Sequence, residues 1–149
     1  MTGSIPFTFE YPDEAGYPDG SGTLSQDQVI LMKDVLDPHV PVLDFTVVDD
    51  HETGAYEAIV GDREIAGLTY SVAGDHRLVL QATAVYPEFR EQGIATELIR
   101  RVLDDVRAQG NTVTILCPIV RAFIERHPGY SDLIDPKHPG VRLQARPEA

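Results

Sequence analysis

Arg90, Gly93 and Ala95 stand in the spacing Arg-x-x-Gly-x-Ala, where an alternating run over 78–85 gives way to a long amphipathic pattern over 91–109. A helix start carries backbone N–H groups with no intrahelical partner and the positive end of the macrodipole. Gly93 and Ala95 put almost no side chain in front of those groups, so a phosphate can approach the backbone directly. The junction is therefore expected to hold a phosphate-bearing cofactor. Glu91 suits the helix dipole but would repel a phosphate, so its side chain is expected to point away. Cys117 lies between a strand-like run and a helix start, where a thiol pKa can be lowered. A small buried hydrophobe is the other reading of that position. His127 precedes Pro128 and is expected to cap helix carbonyls. His39, His51, His76 and His138 show no ligand spacing, and no metal is expected.

The elements that must position these groups follow from periodicity. Over residues 1–23, Pro6, Pro12, Gly16, Pro18, Gly20 and Gly22 interrupt every element. Only a short strand or arm is expected there, from the alternating Ile5, Phe7, Phe9 and Tyr11. Ser25-Gln26-Asp27-Gln28 has the form of a capping box and opens a short helix closed before Pro38. Packing on the core is favoured for this helix over self-association. From Asp44 the period becomes two. Strands are expected over 45–48, 55–60, 64–72 and 77–85, joined by short Gly/Asp turns into an antiparallel meander.

The period then changes to 3.6, with Ile94, Leu98, Ile99, Val102, Leu103 and Val106 on one stripe and Gly110-Asn111 at the end. A fifth strand over 112–116 follows this helix and should run parallel to the fourth. Pro118 suits the first turn of a second helix over 119–127, which Pro128 ends. The expected fold is α/β: a mixed sheet made of an antiparallel meander, a β-α-β crossover and a C-terminal helix. The expected division is an acidic extension with a short helix over 1–43, the main domain over 44–136, and a frayed tail over 137–149.

At 149 residues the chain fits one domain with a sizeable core. No apolar run approaches the ~20 residues of a membrane span, so no membrane partner is expected. The N-terminus lacks a basic segment followed by an apolar one. The single cysteine excludes an internal disulfide. A cytoplasmic setting is expected. The net charge of −12 is uneven: to Thr53 there are eleven acids against one base, a balance of −10, and the remainder contributes −2. Nucleic acid is excluded as a general partner, because phosphate backbones are held by Lys and Arg. The acidic surface reads as solubilising.

Four antiparallel strands, a helix opened by Arg-x-x-Gly-x-Ala, a fifth strand and another helix resemble the GNAT superfamily of N-acetyltransferases. The run 85–95, then Leu116-Cys117-Pro118, then Arg126-His127-Pro128-Gly129-Tyr130 is similar to the small GNAT-like acetyltransferases typified by the human N-acetyltransferase domain-containing protein. The resemblance covers about residues 44–134. It implies acetyl-coenzyme A as acyl donor, a primary amine on a small molecule or protein as acceptor, and a direct ternary complex. It also implies that the fourth and fifth strands splay apart, with the pantetheine arm between them bonded to backbone near Val85. The N–H groups of Gln92, Gly93, Ile94, Ala95 and Thr96 would hold the pyrophosphate, and Arg90 would touch phosphate. The resemblance puts Cys117 near the cofactor's sulfur and makes Tyr130 a candidate proton donor to the departing thiolate. One departure is plain. The subgroup carries His-Thr-Glu-Val at the end of its fourth strand, and this chain has Ala82-Thr83-Ala84-Val85. The strand-four carboxylate that often serves as general base is missing, which leaves open an acyl-CoA-binding module without turnover.

Overall fold

In the computed structural model, which describes residues 8–11, 20–36 and 43–144, the chain runs β1 (Thr8–Tyr11), β2 (Gly20–Thr23), α1 (Gln26–Leu36), β3 (Thr46–Asp50), β4 (Ala55–Val60), β5 (Arg63–Ala73), β6 (Arg77–Val85), α2 (Ile94–Ala108), β7 (Thr112–Ile115), α3 (Pro118–Arg126) and β8 (Arg142–Gln144). The alternating segments pair as the meander β3-β4-β5-β6, and β7 joins parallel to β6 after the α2 crossover. This is the expected mixed α/β sheet, followed by the expected helix.

Period-two alternation gives the sheet one apolar face. Tyr56 and Ala58 on β4, Leu68 on β5, Leu80 and Val85 on β6 and Ile115 on β7 all enter the buried cluster. The apolar stripe of α2 packs there, with Leu98, Ile99, Val102, Leu103 and Val106 fully buried, and α3 adds Ile119 and Phe123. On the opposite face Ala82 and Ala84 are exposed.

The capping box at the start of α1 forms as expected. The Gln28 N–H donates to Ser25 Oγ at 3.2 Å, and the Ser25 N–H donates to Gln28 Oε1 at 2.9 Å. Leu31, Met32 and Val35 of α1 are buried in the same core as α2 and α3. Each such side chain contributes about 1.5–3 kcal/mol, so the helix belongs to the domain rather than to a detached extension.

Three expectations need correcting. Residues within 1–23 are not merely irregular, because β1 pairs antiparallel with both β2 and β8 in a second, three-stranded sheet. The residues Ile5 and Phe7 of the expected arm lie outside the described residues. The stretch from Pro136 to Gln144 is packed rather than frayed. The Ile115 N–H donates to Pro139 C=O at 3.2 Å, the Val141 N–H donates to Ile115 C=O at 2.6 Å, and Val141 is buried. The helix expected from residue 91 starts at Ile94, because Glu91 and Gly93 both take positive φ, 62° and 81°.

Gly140 makes the return of the tail possible. It has φ 97°, and a Cβ there would lie 2.0 Å from the Ile115 carbonyl oxygen. Gly140→Ala is therefore expected to destabilise the chain by about 2–4 kcal/mol, through left-handed strain and a backbone clash together. Urea unfolding checks this; an unchanged midpoint would mean that the tail does not dock on β7.

Candidate active site

The β6–β7 ladder ends at the pair Leu80–Ile115. There the Leu80 carbonyl accepts both the Leu116 N–H, at 2.8 Å, and the Cys117 N–H, at 3.2 Å. The β5–β6 register shifts at the same level, Thr69 facing Ala82 and Tyr70 facing Leu80, so Gln81 is an extra residue in β6. A bulge bends its strand and sharpens the local twist. Past it β6 continues on β5 alone while the chain after β7 turns into α3. β7 is paired with β6 over all four of its residues and ends here, so past this point the edge of β6 away from β5 has no described strand beside it, which leaves a wedge between β6 and the start of α3.

Backbone groups of β6 line the opening. The Tyr86 N–H donates to Ile65 C=O on β5. By the alternation of a strand, Val85 turns its own groups the other way, and its carbonyl accepts Arg90 Nε at 2.9 Å. Deeper in the wedge Thr83 Oγ1 lies 3.4 Å from Cys117 Sγ, both buried. The structure thus brings Val85, Thr83, Cys117 and Arg90 together. Cys117 is the N-cap residue of α3, yet its thiol pKa is pushed up. Burial is the larger effect, and bonds from Thr83 and from the Val120 and Ile119 amides offset it only in part. The lowered pKa considered for a helix start is not found, and the small buried hydrophobe is.

Tyr130 follows α3, whereas Cys117 precedes it. Its hydroxyl donates to Asp104 Oδ1 at 2.8 Å and its ring packs on Phe123. Burial and the Asp104 carboxylate both raise its pKa. His127 caps as expected, with Nδ1 2.9 Å from the Phe123 carbonyl oxygen.

The mouth of α2 differs most from expectation. Gly93, Ile94, Ala95 and Thr96 are all buried. What covers them is α1. The Gly93 N–H donates to Asp34 Oδ1 at 3.2 Å, and the Thr96 hydroxyl donates to the Asp34 backbone carbonyl at 3.3 Å. Arg90, besides holding Val85, places Nη1 3.2 Å from Asp27 Oδ1. Gln92 donates its amide to Glu88 C=O, and Glu91 is exposed, pointing away as expected. The amides expected to stand bare toward solvent are closed over by the chain itself. Asp34 is also a fit test for an anionic ligand, since a carboxylate oxygen sits where a phosphate oxygen was expected.

A GCN5-related N-acetyl-transferase family model matches residues 55–133. The chain belongs to the GCN5-related N-acetyltransferases. The matched stretch runs from β4 through α3 and contains the end of the β6–β7 ladder and the α2 mouth. The activity that goes with this domain is acyl-CoA-dependent acetyl transfer. No curated protein matches the chain. No described helix is long and apolar enough to cross a membrane, and the described residues hold no metal-binding cluster.

Two features of this acetyltransferase escaped the sequence reading. Glu57 on β4, Gly67 on β5 and Ala84 on β6 form one row across the sheet, on the face opposite the helices. Glu64 Oε2 lies over Gly67, 3.2 Å from where a Cβ would be. The Glu57 carboxyl is held above its ordinary pKa, by burial first and then by Glu64 and Asp50. At the far end of the sheet a cleft of about 140 Å³ is lined by Asp49, Tyr56, Tyr70 and Arg77 among others. Its phenols are paired: Tyr56 donates to Asp105 at 2.7 Å and Tyr70 to Asp49 at 2.5 Å.

Burial and these carboxylates raise both tyrosine pKa values, as burial raises that of Cys117. Below the pKa of the unfolded thiol, folded and unfolded chains hold the same protons; above it only the unfolded chain releases them, so stability falls as pH rises. The decline is expected from about pH 8.5 for the thiol and to steepen above about pH 10 for the phenols, by up to about 1.4 kcal/mol per pH unit per group. Urea melts of wild type, Cys117→Ala and Tyr56→Phe from pH 7 to 11 check it. A flat profile to pH 11 would show that these groups ionise freely in the fold.

Proposed function

We propose that this acetyltransferase moves an acetyl group from acetyl-CoA to a primary amine through a direct ternary complex. Within the superfamily, Leu116-Cys117-Pro118 and the 85–95 run support a place in the small subgroup named above. The observation that supports the reading is the end of the β6–β7 ladder at Leu80 and Ile115, with the Val85 carbonyl turned to that side of β6 beside the Arg-x-x-Gly-x-Ala turn. Val85 would hold the pantetheine arm, and Gln92, Gly93, Ile94, Ala95 and Thr96, with Arg90, the pyrophosphate. Acetyl-CoA supplies an activated acyl carbon whose C–S bond breaks as the C–N bond forms. The amine must be neutral to attack, and the leaving thiolate must gain a proton.

The missing strand-four base has a candidate replacement. Glu57 shares its sheet face and row with Ala84. Two strand spacings put the backbones about 10 Å apart, and the side chains at the intervening and final positions are absent or a single methyl. The Glu64 carboxylate lies over Gly67 between them, so a proton passing from the Ala84 side to Glu57 would run past Glu64. A raised pKa brings the carboxylate closer to an amine's needs than an ordinary glutamate. Tyr130 has no role in this reading, and Cys117 is a neutral wall of the wedge.

Ala82 and Ala84 favour a second reading, an acyl-CoA-binding module without turnover. A thiol-release assay with acetyl-CoA and a panel of amines separates the two. The enzyme is expected to accelerate CoA release with at least one primary amine, and Glu57→Gln to lower kcat about 10²-fold or more while the KM for acetyl-CoA changes little. Acetyl-CoA binding without amine-dependent thiol release would establish the module instead.

A further inference from the structure

We propose that α1 is a built-in occupant of the acyl-CoA phosphate site, an autoinhibitory segment that must leave the α2 mouth before the donor binds. The proposal rests on the acyl-CoA reading above and adds its regulation. Two of the groups expected to meet phosphate, the Gly93 N–H and Arg90, are engaged by α1, and so is the Thr96 hydroxyl beside them. Asp34 Oδ1 accepts the Gly93 N–H, the Asp34 carbonyl accepts the Thr96 hydroxyl, and Asp27 pairs with Arg90. Ile94 and Ala95 are buried as well. A diphosphate cannot take the Gly93 amide while Asp34 does.

The placement of Asp34 is informative in itself. It lies two residues before the last residue of α1, near the negative end of that helix's own dipole, where a carboxylate is unfavourable. It is only 4% exposed. Its favourable partner is the N-terminus of α2, where negative charge is stabilised. The carboxylate therefore serves α2, as a ligand anion would. Charge supports the same seating: of the acids of α1, Asp27 lies on Arg90 and Asp34 on the positive end of α2. Leu31, Met32 and Val35 hold the helix down, which sets how rarely the mouth opens. If only the open fraction binds, the apparent Kd is the intrinsic Kd divided by that fraction.

The test measures binding of CoA, which lacks the acetyl group and cannot turn over, to the full chain by calorimetry. Asp34→Ala removes the competing anion and Met32→Ala loosens α1 without touching any phosphate-facing group. Both variants are expected to bind CoA at least tenfold more tightly than wild type, although both unfold more easily. In wild type, saturating CoA is expected to speed hydrogen exchange of the α1 amides at least tenfold. Should CoA bind all three proteins equally, or leave α1 as protected as before, the autoinhibition is overturned while the acyl-CoA reading stands. Should none bind CoA at millimolar concentration, the acyl-CoA reading fails and the proposal with it.

Discussion

A helix start buried inside a protein must find an acceptor for its amides, and this constraint governs the structure around α2. The first turn of α2 is wholly buried, and Asp34 supplies a carboxylate at its cap residue, Gly93. Removing such a partner from a buried N–H costs about 1–3 kcal/mol. From this contact the rest follows in order. α1 is fixed across α2, Arg90 is steered between Asp27 and the Val85 carbonyl, and the turn 90–93 is held in its two positive-φ positions. The same amides are those that a member of the GCN5-related N-acetyltransferases would offer to its acyl donor. Structure and ligand compete for one set of donors.

The β6–β7 ladder stops for a local reason. Gln81 is one residue too many for the pairing with β5, and the Leu80 carbonyl takes two N–H donors from the chain leaving β7. Pro118 then starts α3 and has no N–H to continue the ladder. The wedge is thus written into the backbone rather than into reactive side chains. Cys117 and Thr83 close its floor as a neutral pair, and the carboxylates nearest its open face stand on β4 and β5.

Much of the fold was legible because periodicity is a local signal. The strands over 55–60 and 77–85 and the capping box of α1 appear at the expected residues. β1, β2 and β8 were not legible. Their segments are three or four residues long, β2 reads Gly-Ser-Gly-Thr, and their pairing joins distant parts of the chain. The packed tail depends on one close approach, Gly140 against Ile115, which no periodicity announces. At the site, the Arg-x-x-Gly-x-Ala turn was found, but its occupant was not. Asp34 lay in an acidic stretch that read as solvated surface, and only its position in the last turns of α1 hinted otherwise. Tyr130 was carried over with the family pattern, and the pairing of its hydroxyl with Asp104 on α2 was not legible.

The Gly93 amide receives either Asp34 or a diphosphate, but never both. A crystal structure of the full chain with CoA tests it most directly. The account predicts the pyrophosphate on that amide, the pantetheine arm along β6 beside Val85, and Asp34 withdrawn from Gly93. CoA bound elsewhere on the molecule, with Asp34 still accepting the Gly93 N–H, would contradict it.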